Sequence, residues 1–159
     1  LLAALKNGNI NIKTQIIGDM WQMSDYGTLI KKQANELLQV EFIELIKEKD
    51  ELFKLLASSK LFVYPTLIES MSMMMLEVAS LGVPMIASRL PENLDVFNED
   101  EVLYFQPGNS EDLSIKIKYA LINTNEMISR AQKAKNKLIS NYLWSNISNQ
   151  YANVYHNLL

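Results

Sequence analysis

Along the first hundred residues, compact apolar blocks alternate with segments whose apolar positions recur every three or four residues, which predicts strands and helices in turn. Leu1 to Lys6 reads as an apolar helical tail closed by the breaker cluster Asn7-Gly8-Asn9. Ile10, Ile12 and Gln15 to Ile17 form a predicted strand that stops at Gly18-Asp19. Ser24-Asp25 caps a predicted helix from Tyr26 to about Leu38, with Leu29, Ile30, Leu37 and Leu38 toward the core. A short strand, Val40 to Ile43, precedes a helix whose Leu52, Phe53, Leu55 and Leu56 fit a 3.6-residue period. The stretch from Leu61 to Ser88 then supplies a strand (Leu61 to Pro65), a loop with Glu69, a helix from near Ser72 to near Gly82 that carries Glu77, and a strand (Pro84 to Ala87). Strands that alternate with helices imply an α/β fold, with a parallel sheet covered on both faces.

Beyond Ser88, Arg89 to Asn93 reads as a loop or short turn and Val102 to Phe105 as the last strand. Pro107-Gly108 is a turn, and Asn109 or Ser110 caps a helix bearing Leu113, Ile115, Ile117, Tyr119, Ala120 and Leu121. Two more helices are expected, at about residues 125–141 and 145–157.

Composition narrows the function classes. With 159 residues, 48% hydrophobic and 21% charged, one core and one domain are expected. A net charge of -3 argues against nucleic acid as a partner, because phosphate contacts need a basic face. Without cysteine there is no thiolate or disulfide chemistry, and a single histidine, His156, argues against a histidine-based metal centre. No metal or other cofactor is expected. The absence of cysteine, of a long apolar run and of a leader fits a cytoplasmic location. The first residue is Leu1, inside a predicted helix, so a fragment of a longer protein is expected. Lys116, Lys118, Arg130, Lys133, Lys135 and Lys137 stand against Glu126 alone between Ser114 and Ser140. Such helices are either solvated surface or a peripheral contact with anionic lipid at the inner face of a membrane.

The chemistry-bearing part is the unit around Glu69 and Glu77. A helix that starts near Ser72 presents unpaired amides and a positive dipole end, which suits a phosphate without any Arg or Lys. Glu69 falls at the carboxyl end of a parallel strand, where ligands bind in open α/β sheets. Glu77 lies about 7 Å further along the helix axis. Two carboxylates on either side of an anion site match a ligand with hydroxyls flanking a phosphate, and a nucleotide sugar has that layout.

Glu69-Ser-Met-Ser-Met-Met-Met-Leu-Glu77, followed by Val-Ala-Ser-Leu-Gly82-Val-Pro84-Met-Ile-Ala-Ser88, resembles the Glu-(seven residues)-Glu motif of the retaining group 1 glycosyltransferases, family 4, with the GT-B fold. Ile16-Ile17-Gly18-Asp19, Leu61 to Pro65, Arg89-Leu-Pro-Glu-Asn93, Pro107-Gly-Asn109 and Tyr142-Leu-Trp144-Ser145 match further landmarks in order. The resemblance implies a Rossmann-like parallel sheet with helices on both faces, the carboxyl-terminal, donor-binding half of a GT-B fold, followed by C-terminal helices. It implies that residues 1–159 are one nucleotide-sugar-binding domain lacking its first strand and the amino-terminal acceptor domain. Glu69 would then be catalytic, stabilising positive charge at the anomeric carbon, and Glu77 would accept from the ribose hydroxyls. The amides of Ser70, Met71, Ser72, Met73 and Met74 would hold sugar oxygens and the diphosphate. Gly18, Leu45 and Ile46 would complete the donor site. The nucleotide-diphosphate sugar is the implied substrate, and a glycan or lipid-linked sugar the acceptor, bound through the missing domain. The family's diphosphate-neutralising Arg and Lys would precede Leu1, so the 159 residues alone are expected to be inactive. The loop departs from the Gly-Phe-Gly of many relatives, with Ser70-Met71-Ser72 in its place.

Plainer readings stand beside these. Two glutamates at this spacing also occur as ordinary surface carboxylates. Met71, Met73, Met74 and Met75 read as adaptable core packing rather than a soft-metal site, since consecutive positions cannot all face one ion. Trp21 either lines the ligand cleft or covers a helix, Trp144 is expected to anchor the final helix, and His156 is expected to be partly exposed. A non-catalytic sugar-nucleotide-binding or interaction module and a sugar-nucleotide epimerase remain alternatives on the same fold.

Overall fold

The computed structural model of the protein describes residues 1–19 and 24–157. Trp21 lies outside them. In chain order the elements are α1 (Leu2–Asn7), β1 (Thr14–Ile17), α2 (Ser24–Ala34), β2 (Val40–Ile43), α3 (Lys49–Ala57), β3 (Phe62–Tyr64), α4 (Met73–Leu81), β4 (Met85–Ser88), α5 (Pro91–Val96), β5 (Leu103–Phe105), α6 (Ser110–Ile122), α7 (Thr124–Asn141) and α8 (Trp144–His156). Every strand pairing is parallel: β1 with β2, β3 with β4, and β4 with β5.

All four residues of β4 are buried, and its side chains alternate between two apolar clusters. Ile86 faces the first cluster with Val63, Leu103 and Phe105, under Leu5 of α1 and Leu113 and Ile117 of α6. Met85 and Ala87 face the second, with Tyr104, Met75 and Val78 of α4, Val96 of α5 and Ala134 of α7. The first cluster also takes in Ile16, Val40 and Phe42, so it runs beneath β1 and β2 as well. Hydrogen bonding nevertheless divides the sheet into a two-stranded and a three-stranded piece, where one continuous sheet was expected.

Local chemistry sets the helix ends near the site. Asn109 Oδ1 accepts from the amides of Glu111 and Asp112, both at 3.0 Å, and starts α6. Gly82 closes α4 with φ of 70°, a left-handed conformation that a side chain would oppose by about 1–2 kcal/mol.

Several expectations are corrected. Arg89 to Asn93 is not simply a turn, because Pro91 opens α5 at the position where its missing N–H is no loss. Asn93 Nδ2 donates to Ser88 O at 2.9 Å and so ties α5 to the end of β4. The first strand begins at Thr14 rather than Ile10: the carbonyls of Ile10 and Ile12 accept from the side chains of Gln39 and Thr14, outside the ladder. The second helix stops at Ala34, and the Leu37 amide turns back to Ala34 O at 2.8 Å. That turn sends Leu37 inward and leaves Leu38 99% exposed, while Leu29 is also half in solvent. Trp144 is 85% exposed and does not anchor the helix; no residue of α8 is fully buried, and only Asn146 and Ile147 are half-buried. It is joined to α7 through Asn146 Nδ2, which donates to Ser140 O at 2.7 Å and Ile139 O at 3.2 Å. His156 is exposed.

Tyr104 binds β5 to α5: its buried hydroxyl donates to Asn93 O at 2.9 Å and Phe97 O at 2.6 Å. Burial, with smaller contributions from the acids Glu101 and Glu99, raises this phenol well above the ordinary tyrosine range. A raised folded-state pKa makes the contribution full below about 10, the unfolded value, and diminishing above it. Tyr104→Phe leaves the Phe97 carbonyl without this donor, while Asn93 O keeps the Phe97 amide, and should lose about 1–3 kcal/mol in urea denaturation at neutral pH. Wild-type stability should also fall more steeply than that of the variant as pH rises above about 10.

Candidate functional site

Parallel pairing brings the carboxyl ends of the strands to one edge, and the predicted site residues follow those ends. Gly18 comes directly after β1, and its amide donates to Ile43 O, at the end of β2, at 3.2 Å. A Cβ at Gly18 would meet nothing within 4 Å among the described residues. Leu45, half exposed, and Ile46, half-buried, follow β2. The loop after β3 carries Glu69 to Ser72 into α4, whose first turn holds Met73 and Met74.

Ser72 is buried and caps α4, its Oγ accepting from the Met75 amide at 3.3 Å. Ser72 O accepts from Leu76 N at 3.4 Å, and Met73 N donates back to Met71 O at 3.0 Å. Among the described residues, the amides of Ser70, Met71, Ser72 and Met74 find no protein acceptor. Four donors, interrupted by the bonded amide of Met73, are therefore left around a helix mouth whose dipole favours negative charge. Thr66 Oγ1, in the same loop, is buried with no partner among the described residues.

The two carboxylates have separate surroundings. Glu69 is half-buried, and its Oε1 accepts from the hydroxyl of Tyr64, the last residue of β3. Burial first, then this hydrogen bond, raises the Tyr64 phenol above its usual value, so it stays a proton donor to Glu69 at neutral pH. Glu77, in the second turn of α4, is paired through Oε1 with Lys49 Nζ at 2.7 Å. Lys49 is the first residue of α3 and follows the Leu45-Ile46 segment closely, so this pair links the loop after β2 to α4. The Glu-(seven residues)-Glu spacing revealed neither partner, although Tyr64 is readable within the strand, expected over Leu61 to Pro65, that leads into the loop.

Of the methionines, Met75 is buried and Met74 half-buried, whereas Met71 and Met73 stand 48% and 59% exposed at the mouth. Core packing thus accounts for part of the run only. Among the described residues no group of three or more His, Cys, Asp or Glu side chains could hold a metal ion. A separate cleft of about 280 Å³ lies beside β5, lined by Arg89, Glu99, Lys116 and Arg130 among others. Its charges are largely satisfied internally, Arg89 by Glu99 at 2.9 Å and Arg130 by Glu126 at 2.8 Å. Lys137 is likewise paired with Glu101 at 3.2 Å, so the cations of α6 and α7 do not form a single uncommitted face. No helix among the described residues is long and apolar enough to cross a membrane.

The Rossmann-like α/β fold thus places unsatisfied amides and two carboxylates at the carboxyl edge of its strands, where ligands bind in open sheets of this kind. Residues 1–137 match the family described as glycosyl transferases group 1, and the chain belongs to that family. The sulfoquinovosyl transferase SQD2 of Arabidopsis thaliana is 33% identical over 90 residues, which cover 53% of this chain and 18% of that protein. Among solved structures, HepE of Anabaena in complex with UDP-glucose superposes with a TM-score of 0.87 at 18% identity, covering 99% of this chain and 44% of that one. The sucrose-phosphate synthase of Thermosynechococcus elongatus gives 0.81 at 20% identity, over 99% of this chain and 42% of that one. A glycosyltransferase from Rickettsia africae gives 0.84 at 16% identity, over 99% and 43%. The chain thus spans less than half the length of these proteins.

The cap at the mouth is testable apart from any ligand. Ser72→Ala should cost about 1 kcal/mol in urea denaturation and speed amide hydrogen exchange at Met75, with the distant α6 unaffected.

Proposed function

We propose that this chain is the donor-binding domain of an enzyme that transfers a sugar from a nucleotide-diphosphate sugar to a glycan or lipid-linked acceptor. The observation that carries this reading is the set of amides between Glu69 and Glu77, those of Ser70, Met71, Ser72 and Met74, that have no acceptor among the described residues. Family membership and the nucleotide complexes of the Anabaena neighbour, solved with UDP-glucose and with UDP, support it. In this reading the amides hold the diphosphate and sugar oxygens, and Gly18, Leu45 and Ile46 border the base and donor. Glu77 accepts from the ribose hydroxyls. Glu69, oriented by the Tyr64 hydroxyl, stabilises positive charge that develops at the anomeric carbon, and the sugar is transferred with retention. A preorganised charge of this kind contributes a few kcal/mol to the transition state. No metal is required for any of these roles.

The division of the sheet into two pieces that share one apolar cluster supports a further parallel strand between β1 and β3, supplied by chain outside these 159 residues. The acceptor site and the cations that neutralise the leaving diphosphate belong to that part too, so residues 1–159 alone do not turn over. Cytoplasmic residence suits a nucleotide-sugar donor. Contact with anionic lipid would rest on Lys118 and Lys133, exposed cations of α6 and α7 outside the pairs described above.

The test is calorimetric titration of uridine, guanosine and adenosine diphosphates into the full-length protein. Glu77→Ala should weaken the preferred nucleotide by about tenfold or more, the loss of charge-assisted hydrogen bonds to the ligand. Glu69→Gln should retain nucleotide affinity while turnover falls by about a hundredfold or more. Unchanged affinity in Glu77→Ala removes the ribose role.

A further inference from the structure

A site built around two glutamates has an electrostatic difficulty if its ligand is a diphosphate, because like charges within roughly 8 Å repel with little screening at physiological salt. The structure contains an answer on one side of the site. Lys49 reaches from the start of α3 to Glu77 Oε1 at 2.7 Å, while Glu77 Oε2 has no partner among the described residues. The two ends of the pair differ in exposure: the Glu77 side chain is 21% exposed and that of Lys49 is 74%. Among the described residues no other cation is paired with Glu69 or Glu77.

We propose that Lys49 is the counter-charge of the nucleotide site. It neutralises Glu77 through one oxygen and leaves the other to accept from ligand hydroxyls, and its exposed ammonium attracts the anionic diphosphate. Lys49 is therefore a binding determinant that favours nucleoside diphosphates over nucleosides, a role that rests on the donor-binding reading above. An exposed ammonium in a surface pair contributes little to folding, so Lys49 can be replaced without loss of the domain.

The experiment uses full-length protein and the preferred nucleoside diphosphate of the titrations above, with its nucleoside as the uncharged comparison. Lys49→Met should weaken diphosphate binding by about three- to tenfold at roughly 0.05 M salt, with a smaller loss at high salt as screening replaces the lost charge. Nucleoside affinity should stay within about twofold, and Lys49→Arg, which keeps the charge, should restore diphosphate binding. Equal or tighter diphosphate binding by Lys49→Met, with Glu77→Ala impaired, overturns the role of Lys49 alone and shows that it merely competes with the ribose for Glu77. Wild-type binding retained in Glu77→Ala removes the ribose role of Glu77 and, with it, the counter-charge role of Lys49. Equal losses of nucleoside and diphosphate in Lys49→Met indicate damage to the loop after β2 and also overturn the counter-charge role.

Discussion

A strand buried on both faces must be apolar, or hydrogen-bonded where it is polar, and must be covered from both sides, and β4 imposes this condition on the rest of the chain. Met85, Ile86, Ala87 and Ser88 divide the apolar residues into two clusters, one under α1 and α6 and one under α3, α4, α5 and α7. Because α4 leads directly into β4 through Gly82, the helix is held against the sheet by Met75, Val78 and Ala79, all of them buried. Its N-terminus therefore has a fixed place at the carboxyl edge of the strands. The helix mouth is a by-product of packing, and its free amides are where packing hands over to chemistry.

Each glutamate is then placed by a different element. Tyr64, at the end of β3, holds Glu69 from the sheet side, and Lys49, at the start of α3, holds Glu77 from the neighbouring helix. Two carboxylates that lie close in sequence thus answer to separate parts of the fold. That separation leaves no direct contact through which the two carboxylates share a proton.

Much of this was legible in the chain because the relevant signals are local. Asn109 before a helical period, Gly82 after one, and the apolar block at Pro84 to Ala87 each carry their own physical reason, and the structure follows them. The Glu69 to Glu77 unit was readable for the same reason, since a strand, a loop and a helix in direct succession leave little choice of geometry. What escaped depends on contacts between distant residues. Nothing near Leu38 says that the turn after Ala34 will point it outward, and nothing near Trp144 says that no partner covers it. Lys49 and Glu77 are 28 positions apart, and only the packing of α3 on α4 brings them together.

The last helix has a thermodynamic consequence of its own. An isolated helix of this length is marginal in water, and α8 buries no side chain fully against the body that precedes it. It is tied on by one asparagine amide at its first turn. Its fraying and re-forming are thus only weakly coupled to the cooperative unfolding of the sheet and its two clusters, so the chain has two stability scales, a higher one for the sheet and its clusters and a lower one for α8.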